Sequence, residues 1–223
     1  MRRDPHSYAD DAQPSVAHLT WDVDVDFPST TLACTAELRL HAAGDLIDLD
    51  TRDLAIEAVD GGDGKPLAWE LAEAEPILGA RLRVTLGGAR VVRVRYRTSP
   101  AASALQWLTP AQTAGGAHPF LFSQCQAIHA RSLVPLQDTP RVRITYDATV
   151  RAPAPLRVLM AAADAGSSAA GARWTMPQPI PPYLLAFAVG ELAGRDVGPR
   201  SRVWAEPSVV DAAAWEFAGV DDM

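Results

Sequence analysis

The chain has 223 residues, 48% of them hydrophobic and 21% charged, the balance of an ordinary globular protein and not of a disordered one. A net charge of −7 argues against nucleic acid or an anionic membrane as the main partner, since neither is drawn to an acidic surface without a basic stripe. Two cysteines, Cys34 and Cys125, are too few for a disulfide framework or a structural zinc site, and no run approaches the roughly 20 apolar residues of a spanning helix, so a cytoplasmic protein with no membrane partner is expected.

The first fourteen residues, MRRDPHSYADDAQP, carry two arginines with no apolar stretch behind them. They read as a flexible tail, neither a secretory leader nor an anchor. From residue 15 to 207 the pattern is strand after strand. Leu19, Trp21, Val23, Val25 and Phe27 alternate with Thr20, Asp22, Asp24 and Asp26, and LACTAELRL sets Leu32, Cys34, Ala36, Leu38 and Leu40 on one side. With Pro28 and Ser29 between them, the two runs predict a hairpin. Further strands are expected at 46–50, 54–59, 81–86 and 90–97. In the last, Arg93, Arg95 and Arg97 alternate with Val92, Val94 and Tyr96, the wet face of a half-buried strand. Residues 99–122 read as a long irregular connection, of a kind that is usually functional inside a compact domain. Strand alternation returns in RVRITYDATV. YLLAFAV, 183–189, is apolar on both faces, as a central strand is. Residues 208–223 open with Ser208 and Asp211, a capping-box-like start for a short helix that reads as the beginning of a continuation. No strand–helix alternation appears, so the fold class is mainly all-β, with antiparallel or mixed sheets and a short C-terminal helix.

The polar chemistry concentrates in SQCQAIHAR, residues 123–131. Cys125, His129 and Asp138 form a conceivable nucleophilic set, but Pro119 and Pro135 favour an extended or looped segment that holds Cys125 and His129 apart. A lone cysteine among apolar neighbours is usually a small core residue. The histidines at 6, 18, 41, 118 and 129 are scattered, and none forms a ligand pair, so no metal site is read in this chain. Gln124 and Gln126, two apart, would project from one face of an extended segment, each offering a carbonyl acceptor and an amide donor. The plainer reading is that both satisfy loop backbone.

LQWLTP (105–110), HPFLFSQCQAIHARSLVPLQDTPRVRITY (118–146), PIPPYLLAFAVGEL (179–192) and VGPRSRVWAEP (197–207) occur in order. From about residue 15 to its end, the chain thereby resembles the amino-terminal domain of zinc aminopeptidases related to aminopeptidase N, most nearly the leukotriene hydrolase and aminopeptidase B branch. The resemblance implies a saddle-shaped β domain leaning on a thermolysin-like catalytic domain, which would be its partner. It further implies that Gln124, Gln126 and Ala127 line the place of a peptide substrate's amino-terminal residue. The aminopeptidase N branch has Glu where Gln126 stands, a counter-charge for the ammonium. That family's GxMEN loop and HExxH zinc helix would follow residue 223. The expectation is therefore a non-catalytic substrate wall with no catalytic residue and no cofactor of its own, zinc belonging to the complete enzyme. The alternative is a stand-alone β-rich module that binds a peptide or protein.

Overall fold

The computed structural model describes residues 4–222. Its strands are β1 (Val16–Asp26), β2 (Thr31–Leu40), β3 (Leu46–Thr51), β4 (Ala55–Gly61), β5 (Trp69–Leu71), β6 (Ala80–Thr85), β7 (Val91–Arg97), β8 (Leu105–Leu108), β9 (Phe120–Ser123), β10 (Ile144–Arg151), β11 (Arg157–Met160), β12 (Ala163–Ser168), β13 (Gly171–Ile180), β14 (Phe187–Gly190), β15 (Ala193–Asp196) and β16 (Arg202–Ala205). One α-helix, α1 (Val210–Glu216), follows them.

Seven strands form the main sheet, in the order β12-β13-β10-β1-β2-β7-β4. Only its β1–β10 pair is parallel. The predicted hairpin is present, with Leu19 opposite Leu38, Trp21 opposite Ala36 and Val23 opposite Cys34. Period-two alternation sends Leu19, Trp21, Val23, Leu38, Val92, Val94, Tyr146 and Val150 inward, where all are buried. The polar alternates face out and pair across strands: Arg93 reaches Glu37 at 2.6 Å and Arg97 reaches Glu57 at 3.1 Å. Exposed pairs of this kind contribute at most about 1 kcal/mol each. The RVVRVRYR run is thus the wet face of β7.

The inward face packs on a four-stranded sheet, β11-β14-β9-β8, and a three-stranded one, β3-β6-β5. Trp21 meets Phe187 of β14 edge to face, with ring centroids 5.8 Å apart, so the main sheet and the four-stranded sheet share one core. The architecture is sandwich-like and mainly β.

Four expectations are corrected. Of the segment expected as a tail, the described residues 4–14 pack onto β3, with Ser7 fully buried and Tyr8 9% exposed, because both hydrogen-bond the buried Asp50. Residues 99–122 are not irregular throughout: LQWL and FLFS become β8 and β9, which pair in register from Leu105–Ser123 to Leu108–Phe120. Pairing between runs so short and far apart leaves no periodic trace. YLLAFAV begins as a 3-10 turn, Pro182–Leu184, since adjacent prolines have no N–H to give a ladder. Only Phe187 onward is strand, and it is central, between β11 and β9. At the C-terminal end, no side chain caps α1, whose N-cap is Val209, and Asp211 pairs instead with Arg195 of β15 at 2.8 Å.

Candidate functional site

β9 delivers the chain to the polar stretch, which turns at once. His129 N–H donates to the Cys125 carbonyl at 2.9 Å, and a 3-10 turn, Ala130–Ser132, follows. Of the extended or looped forms expected, the segment takes the looped one, but as a tight turn that brings the Cys125 and His129 backbones together, because its ends are held by tertiary bonds that sequence spacing does not reveal. Gln124 N–H donates to the Ala104 carbonyl at 2.8 Å, next to β8. Ser123 Oγ accepts from Phe187 N–H at 2.9 Å. Ser132 Oγ donates to the His129 carbonyl at 2.8 Å and accepts from Ala104 N–H at 2.9 Å. The Tyr96 hydroxyl, itself accepting from the Trp21 indole, donates to the Leu133 carbonyl at 3.0 Å.

Beneath this turn lies Arg131, with no exposed side-chain surface. Its guanidinium donates to Asp138 Oδ2 at 3.1 Å, to the Leu78 carbonyl at 2.8 Å and to the His6 carbonyl at 2.7 Å. Asp50 lies 3.7 Å away and accepts the Asp138 N–H at 2.8 Å. Burial pushes the Asp138 carboxyl up to about 6 against the pull of Arg131, and burial raises Asp50 as well. Two carboxylates thus share one buried cation. Asp50 escaped the sequence reading. The available signal was DLIDLDT, in which Asp48 and Asp50 lie within an apolar strand whose interior must then supply a partner.

The Cys/His/Asp set is not assembled. The turn does bring Cys125 and His129 backbones together, but Cys125 is 1% exposed and burial pushes its thiol up to about 12, far from a thiolate at neutral pH. His129 Nδ1 sits 2.7 Å from Ser103 Oγ, and burial together with the nearby Arg52 and Arg131 charges lowers its pKa. Asp138 is committed to Arg131.

Gln124, Gln126 and Ala127 are all exposed at the crest of the turn. The two glutamines are not equivalent: Gln124 Oε1 accepts the Gln126 N–H at 2.8 Å, so that amide oxygen serves loop backbone, as the plainer reading had it. The Gln126 side chain has no hydrogen-bond partner among the described residues.

A profile of the Peptidase M1 N-terminal domain matches residues 5–184. The chain belongs to the M1 peptidase family, as its N-terminal domain. It is 38% identical to leukotriene A-4 hydrolase of Xenopus laevis over 99% of this chain and 39% of that protein. It is 36% identical to leucine aminopeptidase 2 of Yarrowia lipolytica over 96% of this chain and 34% of that protein. A yeast LTA4 hydrolase in complex with bestatin superposes with a TM-score of 0.91 at 30% identity, over 99% of this chain and 36% of that one. An M1 zinc metallopeptidase of Deinococcus radiodurans shares the fold, with a TM-score of 0.65 at 19% identity over 88% of this chain and 48% of that one. This M1 chain therefore spans 34 to 39% of the length of these curated relatives. Zinc is the metal of that family, yet the residues here do not fit it: no group of three or more His, Cys, Asp or Glu among the described residues is placed to hold a metal ion. No helix among them is long and apolar enough to cross a membrane.

Proposed function

We propose that this domain is the substrate wall of a zinc metalloaminopeptidase that removes amino-terminal residues from peptides, with the turn at Gln124–Ala127 meeting the substrate's ammonium. The observation that carries it is the contrast at the turn's crest: an exposed Gln126 side chain with no hydrogen-bond partner among the described residues stands on backbone pinned from both sides. Backbone held in this way presents the exposed Gln126 amide oxygen to N–H donors with little left to order on binding. Gln124 positions the turn through its oxygen and retains its amide N–H donors for a peptide carbonyl. The catalytic partner and its zinc are assigned to the part of the family chain beyond this domain. Trp215 and Phe217, 79% and 51% exposed, are apolar surface for such a partner to cover. A cytoplasmic location belongs to the same reading and rests on two buried, unpaired cysteines.

The experiment is a paired one in the chain extended by the catalytic portion its relatives carry. Gln126→Ala lowers kcat/KM on substrates with a free amino terminus by about ten- to a hundredfold, as for one hydrogen bond to a charged group. Gln126→Glu retains or strengthens binding by adding an opposite charge at the same reach. Both leave the melting temperature unchanged. Unaltered kinetics with a melting temperature several degrees lower would assign Gln126 to loop structure alone.

A further inference from the structure

The N-terminal segment and the substrate turn, more than a hundred residues apart in sequence, meet at one buried charge cluster. Asp4 accepts the Thr139 hydroxyl at 2.6 Å. The His6 carbonyl accepts from Arg131 Nη2 at 2.7 Å. The Ser7 hydroxyl donates to Asp50 Oδ2 at 2.6 Å, and the Tyr8 N–H donates to Asp50 Oδ1 at 2.7 Å. The Tyr8 hydroxyl continues to Glu75 at 2.7 Å. Among the described residues the Asp50 carboxylate thus accepts two of its three hydrogen bonds from this segment, the third coming from the Asp138 N–H. Arg131 takes one of its buried acceptors from it.

A guanidinium is always charged and carries five donors, so once buried it holds its geometry only while those donors and its counter-ions are met. Without residues 4–8, Asp50 loses two donors, Arg131 loses an acceptor, and water reaches both. Arg131 closes the turn that begins at Gln126, and its own N–H donates to Asp138 at 3.2 Å while its carbonyl accepts from Arg52 N–H at 2.9 Å. Loosening the guanidinium therefore loosens the backbone that presents Gln126.

We propose, on the reading of the turn as a substrate wall, that residues 4–8 are a strap that positions it: Ser7, Tyr8 and the His6 carbonyl hold Asp50 and Arg131, and Arg131 holds the turn. Residues 4–8 are then part of the substrate-binding apparatus, and their removal weakens substrate capture from the rear of the site.

The test follows backbone hydrogen exchange in the 223-residue chain for Ser7→Ala and for a chain beginning at Ala9. The amides of Gln126, His129, Arg131 and Ser132 exchange about tenfold faster or more, as for a lost hydrogen bond to a charged group. The paired amides of β15 and β16, remote from the strap, keep their rates. Unchanged exchange at the turn, or an equal rise in β15 and β16, overturns the strap. Should the shortened chain fail to fold, Ser7→Ala decides alone. In the extended enzyme, Ser7→Ala raises KM with kcat unchanged, a split that general destabilisation does not produce. Faster exchange at the turn with KM unmoved leaves the strap's hold on the turn established and removes the substrate-wall reading instead.

Discussion

Asp50 and Arg131 lie 3.7 Å apart, and neither has any exposed side-chain surface. Such a pair is costly to assemble and costlier to break, because removing one member strands the other in a medium that cannot solvate it. Asp50→Ala should lower unfolding stability by about 3–5 kcal/mol. Urea unfolding measures it, and a loss below about 1 kcal/mol, the value of an exposed pair, would show that water already reaches the cluster.

Asp138 gives the cluster a pH signature. Its carboxyl is raised from 3.8 to about 6, so the folded protein binds that proton more tightly than the unfolded chain does. The associated stability is complete below about 4 and is lost as pH rises through about 6, amounting to about 2–3 kcal/mol. Asp138→Asn cannot titrate there. The stability of the native sequence relative to that variant should fall across this window and be level above it, and a difference that rises with pH would contradict the assignment.

Thiol chemistry offers a separate check on the core. Burial pushes Cys34 and Cys125 each up to about 12. In mildly alkaline buffer neither should react with an aromatic disulfide reagent, while the denatured chain titrates both. Rapid modification of Cys125 in the folded protein would mean that the turn above it opens readily.

The exposed aromatics at the end of the domain make a further prediction. Trp215 in α1, and Val209, Phe217 and Val220 flanking that helix, are exposed apolar side chains. The 223-residue chain should bind a hydrophobic dye or self-associate, and Trp215→Ser with Phe217→Ser should abolish either behaviour without moving the melting temperature. A native chain that is monodisperse and dye-free would favour the stand-alone module.

Local pattern was enough for β1, β2 and β7, because a strand with one wet face must alternate, and Leu19, Trp21 and Val23 have nowhere to go but inward. The glutamines were legible as polar residues in an apolar chain, and the ordered words around them, which alone singled out Ala127, pointed to the M1 family. What no local pattern carries is the pairing of β8 with β9, the docking of Ser7 on Asp50, or the tight turn at Gln126–His129. These depend on partners from about a dozen to several tens of residues distant, and their energies come from burial and closure of the whole fold, not from an adjacent residue in the chain. The same cause separates Gln124 from Gln126. Their side chains are chemically identical, and only the folded turn turns one amide oxygen back onto backbone and leaves the other amide facing solvent.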